Sequence, residues 1–237
     1  MTKGCIYYTD FHADSTLLRV CQENLRKNFR GEIISVSLNE PLDLGRNIIL
    51  RAERGYVTML RQIILGLENS TVDVVFFTEN DVLYPASHFD FTPPKDNVFY
   101  YNENVWRWLF GSDKVIGYDR LISLSSLCAN RDYVFDHYKS RLAIIEDKGW
   151  DKDLSHEPEW ARKWGYEPGT KKRKRGGFTD DNFATWQSEL SIVDIRHKGT
   201  FSRNKVTLNS FKHPPNNWRE IPIEEIPGWN LREMFEL

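Results

Sequence analysis

The first forty residues restrict the fold more than any other stretch of this chain. Cys5-Ile6-Tyr7-Tyr8 is a short β-prone run ending in Thr9-Asp10-Phe11-His12. From about Asp14 to Phe29, apolar Leu17, Leu18, Cys21, Leu25 and Phe29 recur at spacings of three to four, the period of an amphipathic helix. Asp14 or Ser15 is placed to cap that helix, and Gly31 to stop it. Ile33-Ile34-Ser35-Val36-Ser37-Leu38 then reads as a second strand. Strand, helix and strand in so short a span form a βαβ unit, which demands parallel strands and a right-handed crossover.

A parallel sheet directs attention to the carboxyl ends of its strands, where ligands gather. Val72-Asp73-Val74-Val75-Phe76-Phe77-Thr78 is an apolar run of the kind buried on both faces of such a sheet. It breaks at once into Glu79-Asn80-Asp81, two carboxylates one residue apart. Such a pair is either a solvated turn or the seat of a hard divalent cation, which takes carboxylate oxygens and shares its remaining positions with water and phosphates.

Between these elements, Pro41 to Asn47 reads as a loop, and a second helix is expected from about Ile48 to Glu68, with Val57, Leu60, Ile63, Ile64 and Leu67 as its apolar face. Arg51 and Arg54 interrupt the start of that pattern, either as solvated helix charges or as cations aimed at a phosphate. Beyond Pro85, Pro93-Pro94 excludes a central strand. Val98 to Asn102 is strand-like and leads into Val105-Trp106-Arg107-Trp108, an aromatic cluster that belongs to a core or to a pocket wall. An apolar run follows from Val115 to Leu127, then a helix from Arg131 to Ile145. Residues 146–182 lose periodicity and contain five consecutive basic residues, Lys171 to Arg175, as expected of a surface loop with an anion-seeking segment. A short helix is expected from Asp181 to Trp186, and Ser191 to Ile195 is a last strand delivering Arg196-His197-Lys198.

Composition narrows the function. A formal net charge of -2 gives no global field for nucleic acid or membrane, so any anion site must be local. Three scattered cysteines lack metal-ligand spacing and suit reduced core thiols. No run is long and apolar enough to span a membrane, and no secretory h-region opens the chain, so a cytoplasmic location is expected.

The βαβ start, the strand ending in Glu79-Asn80-Asp81 and the late His197 together resemble the GT-A type of nucleotide-sugar-dependent glycosyltransferase, most like family-two members of bacterial or phage type. The resemblance covers roughly residues 4–205. It implies an α/β/α sandwich with a central, mostly parallel sheet, Rossmann-like in its N-terminal half. A single catalytic domain would span 1–205, with 146–182 as an acceptor or lid loop and 206–237 as a tail packed on it. It also implies a nucleoside-diphosphate sugar donor, UDP-linked in preference, a hydroxyl acceptor that a basic loop makes compatible with a polyanion such as modified DNA, and Mn²⁺ or Mg²⁺.

Carried over residue by residue, the metal ligands are Asp81, His197 and Glu79. Glu79 stands where the family has Asp, so the resemblance favours Asp81 over it and leaves Glu79 an alternative place near the ribose or a role through water. Thr9, Asp10, Asn80, Arg51, Arg54 and Arg196 are the donor-binding candidates, with Ser37 to Glu40 as a second place for the base. Asp180 and Asp181 best match a catalytic base, with Glu146-Asp147 as the rival pair. A nucleotidyltransferase is the alternative enzyme, although Thr9 to Asp14 lacks its glycine-rich phosphate loop. A non-catalytic carbohydrate- or nucleic-acid-binding protein is the alternative outside catalysis.

Overall fold

The computed structural model describes residues 1–117, 121–148, 182–200 and 217–237. The expected βαβ unit is present: β1 (Lys3–Thr9), α1 (Ser15–Asn28) and β2 (Glu32–Leu38), with β1 and β2 parallel and Ile6 opposite Ile34. Asp14 is the cap of α1, its Oδ1 accepting from the amides of Thr16 and Leu17.

The chain continues through β3 (Arg46–Leu50), α2 (Tyr56–Glu68), β4 (Val74–Glu79) and β5 (Val82–Leu83). Then come β6 (Phe99–Asn102), β7 (Val105–Leu109), β8 (Lys114–Gly117), β9 (Leu127–Asn130) and α3 (Arg131–Lys148). The last described elements are β10 (Phe183–Trp186), β11 (Ile192–Arg196), β12 (Arg219–Pro222) and α4 (Leu231–Phe235).

One sheet has the order β10-β6-β9-β4-β1-β2-β3 and is parallel except for β9, which runs against both β4 and β6. Its central strands are buried on both faces, which is why they read as continuous apolar runs. Ile6, Tyr8, Val75 and Phe77 meet α2 and α3 through Leu60, Ile63, Leu67, Val134 and Tyr138. Cys5, Tyr7, Val74 and Phe76 face the other way, onto Leu25 and Phe29 at the end of α1. The result is the α/β/α sandwich. Gly66 lets α2 lie close on the sheet, because a Cβ there would stand 2.7 Å from Ile6 Cγ2.

A second sheet, β12-β8-β7-β11-β5, packs on the outer face of α1. Trp106 and Trp108 lie in that core with Leu17, Val20, Val193 and Ile195, so the aromatic cluster is core and not a pocket wall.

Two expectations are corrected. The segment from Ile48 to Leu50 belongs to edge strand β3 rather than to a helix, and α2 starts at Tyr56. A short apolar run does not distinguish the two states. Asn47 decides it, donating to the Ser35 and Ser37 hydroxyls and accepting from the Leu42 amide, which holds β3 beside β2. The apolar run from Val115 to Leu127 is shared between β8 in one sheet and β9 in the other. Phe183 to Trp186, read as helical, forms β10, because the β6 edge is open to pair with it.

Candidate active site

Parallel strands end at one edge, and the carboxyl ends of β1, β2 and β4 open there on a cleft of about 200 Å³. β1 contributes Tyr8, Thr9 and Asp10; β2 contributes Leu38. Arg54, Gly55, Thr58, Met59 and Gln62 come from the start of α2 and the turn before it. Glu79, Asn80 and Asp81 follow β4, and Arg196, His197, Gly199 and Thr200 end β11. The two sheets meet here because β5 begins straight after Asp81 and β11 pairs antiparallel with it, Asp194 opposite Val82. The Ile195 amide donates to the Asp81 carbonyl at 2.8 Å, which sets the end of β11 beside the acidic turn.

The two acids of that turn have different surroundings. Glu79 Oε1 accepts from the Tyr8 hydroxyl at 2.6 Å, and the Glu79 amide donates to the Tyr84 hydroxyl at 3.1 Å. Burial, and then the Asp81 charge, push the Glu79 carboxyl up to about 8. Asp81 Oδ2 lies 3.3 Å from His197 Nε2. Burial raises its carboxyl as well, against the hydrogen bond from His197. His197 Nδ1 accepts from the Gly199 amide at 3.1 Å, so Nε2 carries the proton and donates to Asp81. Between the acids, Asn80 Nδ2 donates to Thr9 Oγ1 at 2.9 Å, fastening the turn to the end of β1.

Behind them lies a buried charge cluster. Asp194 Oδ2 accepts from both Arg107 Nε, at 3.1 Å, and Arg196. Burial works to raise the Asp194 carboxyl, but Arg196 and then Arg107 hold it below its ordinary range. Burial likewise opposes the charge on Arg196, yet Asp194 and then Asp81 keep that guanidinium more firmly protonated than usual. Arg196 is thus a fixed cation at the cleft, within the field of both acids of the turn.

The opposite lip is built differently. Arg54 pairs with Asp10 and also donates to the Gly199 carbonyl at 3.1 Å, joining the turn before α2 to the ends of β1 and β11. Gly199 is required by close approach, since a Cβ there would stand 2.5 Å from the His12 carbonyl oxygen.

Of the residues proposed from sequence, Thr9, Asp10, Arg54, Glu79, Asn80, Asp81, Arg196 and His197 all line this cleft. Arg51 is exposed and is not among its lining residues. Asp180 and Asp181, and the basic run 171–175, lie outside the described residues. In the second place proposed for the base, Leu38 lines the cleft. Asn39 is turned to the backbone of Ala52, donating to its carbonyl at 2.9 Å and accepting from its amide at 3.2 Å.

Among the described residues, no three His, Cys, Asp or Glu side chains converge as a cation-holding group. Glu79 Oε1 is held by the Tyr8 hydroxyl, whereas Asp81 and His197 face each other across 3.3 Å. That pair fits a divalent cation that draws its other ligands from phosphates and water. To ligate through Nε2, His197 must pass its proton to Nδ1 and release the Gly199 amide.

No protein-family model matches this sequence, and no curated protein matches it. Solved structures with a similar course of chain include two of low sequence identity. The apo-form glycosyltransferase GlyE of Streptococcus pneumoniae TIGR4 is 13% identical, with 65% of this chain and 40% of that chain covered and a TM-score of 0.40. S. aureus TarS 1-349 in complex with UDP-GlcNAc is 9% identical, with 85% of this chain and 60% of that chain covered and a TM-score of 0.46. This chain spans less than two thirds of the length of either. At such scores the likenesses decide no activity, and the chemistry of the cleft has to do so.

Sequence reading overlooked four participants: Tyr8, Gln62, Arg107 and Asp194. A signal existed for Asp194, an acid inside the apolar run Ile192-Val193-Asp194-Ile195, because a charge within a buried strand needs a partner. Gln62 carried the same mark on the apolar face of α2, where it is 3% exposed.

Proposed function

We propose that this chain is a glycosyltransferase that moves a sugar from a nucleoside-diphosphate sugar to a hydroxyl, with a divalent cation held by Asp81 and His197. The observation that carries the reading is the meeting of Asp81 and His197, brought together from the ends of β4 and β11 on the floor of a cleft at the carboxyl edge of the sheet. Burial raises the proton affinity of both acids, and the Asp81 charge adds to the rise at Glu79, so added positive charge is favoured at this turn. When bound, the cation would offset the negative charge that develops on the departing diphosphate.

The chain's own residues supply the rest. Arg196 is pre-aimed by Asp194, so it presents a cation to the same diphosphate without reorganising during the reaction. Leu38 and Met59 give the other end of the cleft apolar walls suited to a ring. The Asp10–Arg54–Gly199 contacts narrow the opening and limit attack of water on the donor. In the transfer, the acceptor oxygen bonds to the anomeric carbon and the carbon–oxygen bond to the diphosphate breaks. The hydroxyl proton passes to a base, for which the sequence offers Asp180 and Asp181.

A thermal-shift panel of ADP, CDP, GDP, UDP and their sugars, with and without Mn²⁺, tests the reading. One diphosphate should raise the melting temperature in a Mn²⁺-dependent manner, and Asp81→Ala should abolish that dependence. If no nucleoside diphosphate stabilises the protein in either condition, the proposal fails.

A further inference from the structure

We infer that Gln62 is a specificity residue of this cleft, accepting a hydrogen bond from a ring N–H of the nucleobase. The inference rests on reading the cleft as a nucleotide site.

Gln62 sits on the second turn of α2 and is 3% exposed, yet it lines the cleft. Its Nε2 donates to the Thr9 carbonyl and to the Val36 carbonyl, each at 2.9 Å. Those bonds use both hydrogens of the amide, and two backbone acceptors settle which end of the side chain is nitrogen. The carbonyl Oε1 is therefore the only polar capacity that Gln62 has left to offer the cleft. It can accept and cannot donate.

Neighbouring side chains sharpen the choice. Leu38 and Met59 are apolar, and Thr58 directs its hydroxyl hydrogen to the Glu53 carbonyl, at 2.7 Å. Asn39, which could both donate and accept, is spent on Ala52. This end of the cleft thus combines apolar walls with acceptors whose hydrogens point elsewhere. A planar ring entering here is favoured when it brings an N–H and penalised when it leaves Oε1 unpaired, since a buried acceptor without a donor loses its desolvation energy unrecovered. Gln62 also braces β1 to β2 through the same two carbonyls, so the test has to separate reading from bracing.

The experiment measures Mn²⁺-supported binding of ADP, CDP, GDP and UDP to the full chain by calorimetry. GDP or UDP should bind tightest, since adenine and cytosine carry no ring N–H, and a preference for ADP or CDP would overturn the inference. The tighter of GDP and UDP is then compared with its ring-methylated analogue, 1-methyl-GDP or 3-methyl-UDP. In the wild type the analogue should bind about ten- to a hundredfold more weakly. In Gln62→Ala, which also leaves room for the added methyl, the parent should fall to about the analogue's affinity and methylation should cease to matter. Gln62→Met gives the same comparison with the side-chain bulk kept, should the alanine variant fold poorly. A methylation penalty of equal size in wild type and variants, with all four nucleotides weakened alike, would make Gln62 a brace only and overturn the inference while leaving the nucleotide site standing. Failure of all four diphosphates to bind the wild type would remove the nucleotide reading, and this inference with it.

Discussion

The two sides of the cleft each pair an arginine with an aspartate, and the pairs are built for different tasks. On the β11 side, Arg196 and Asp194 retain 11% and 4% side-chain exposure, and Arg107 backs them from β7. On the β1 side, Arg54 and Asp10 retain 34% and 18%, and both belong to connecting turns. A buried pair is costly to assemble and costlier to break, because the surviving charge is left without water or partner. An exposed pair exchanges readily with solvent and contributes little. The first therefore serves as a fixed wall with a pre-aimed cation, and the second as an adjustable lip.

The largest test of that contrast is Asp194→Ala. It leaves Arg196 and Arg107 buried together and should cost about 3–5 kcal/mol in urea unfolding. A loss as small as that of an exposed pair would end the distinction. Next, Asp81→Ala should lower kcat on the order of 10²–10³-fold in a Mn²⁺-supported transfer assay. Its stability should be unchanged or slightly raised, because burial already disfavours the Asp81 carboxylate.

A third test uses pH. The folded Glu79 carboxyl is pushed up to about 8 from 4.5, so between those values the native state holds a proton that the unfolded state has released. Stability of the metal-free protein should therefore fall as pH rises from about 4.5 to about 8, then level off. The urea midpoint measured at intervals of pH reads this, and Glu79→Gln should flatten the slope over that range. The smallest effect belongs to the lip: Arg54→Ala should cost no more than about 1 kcal/mol. It should raise KM a few-fold with little change in kcat, whereas a loss confined to kcat would place Arg54 with the fixed wall.

Much of the scaffold was legible because central parallel strands are buried on both faces, and continuous apolar runs announce them. Ile6 to Tyr8 and Val74 to Phe77 are such runs, and Asp14 marked the start of α1. β3 and β10 were misread because each is a short edge strand whose state depends on an open neighbour, β2 or β6, absent from its own local pattern. The site divided in the same way. Glu79, Asp81 and Arg196 stood at strand ends and were visible as chemistry, whereas Gln62 and Arg107 acquire a role only through partners 26 to 87 positions away.

The acid-x-acid turn and the βαβ start were determined by sequence alone, since each is a local pattern of period, propensity and charge. Which acid keeps company with His197, and which is taken by Tyr8, was decided only by tertiary structure. β5 reverses beside β11 and brings the histidine to Asp81, while parallel register sets Tyr8 against Glu79. Two carboxylates one residue apart are near-equivalents in a sequence, but once folded their proton affinities depend on which partner each one meets.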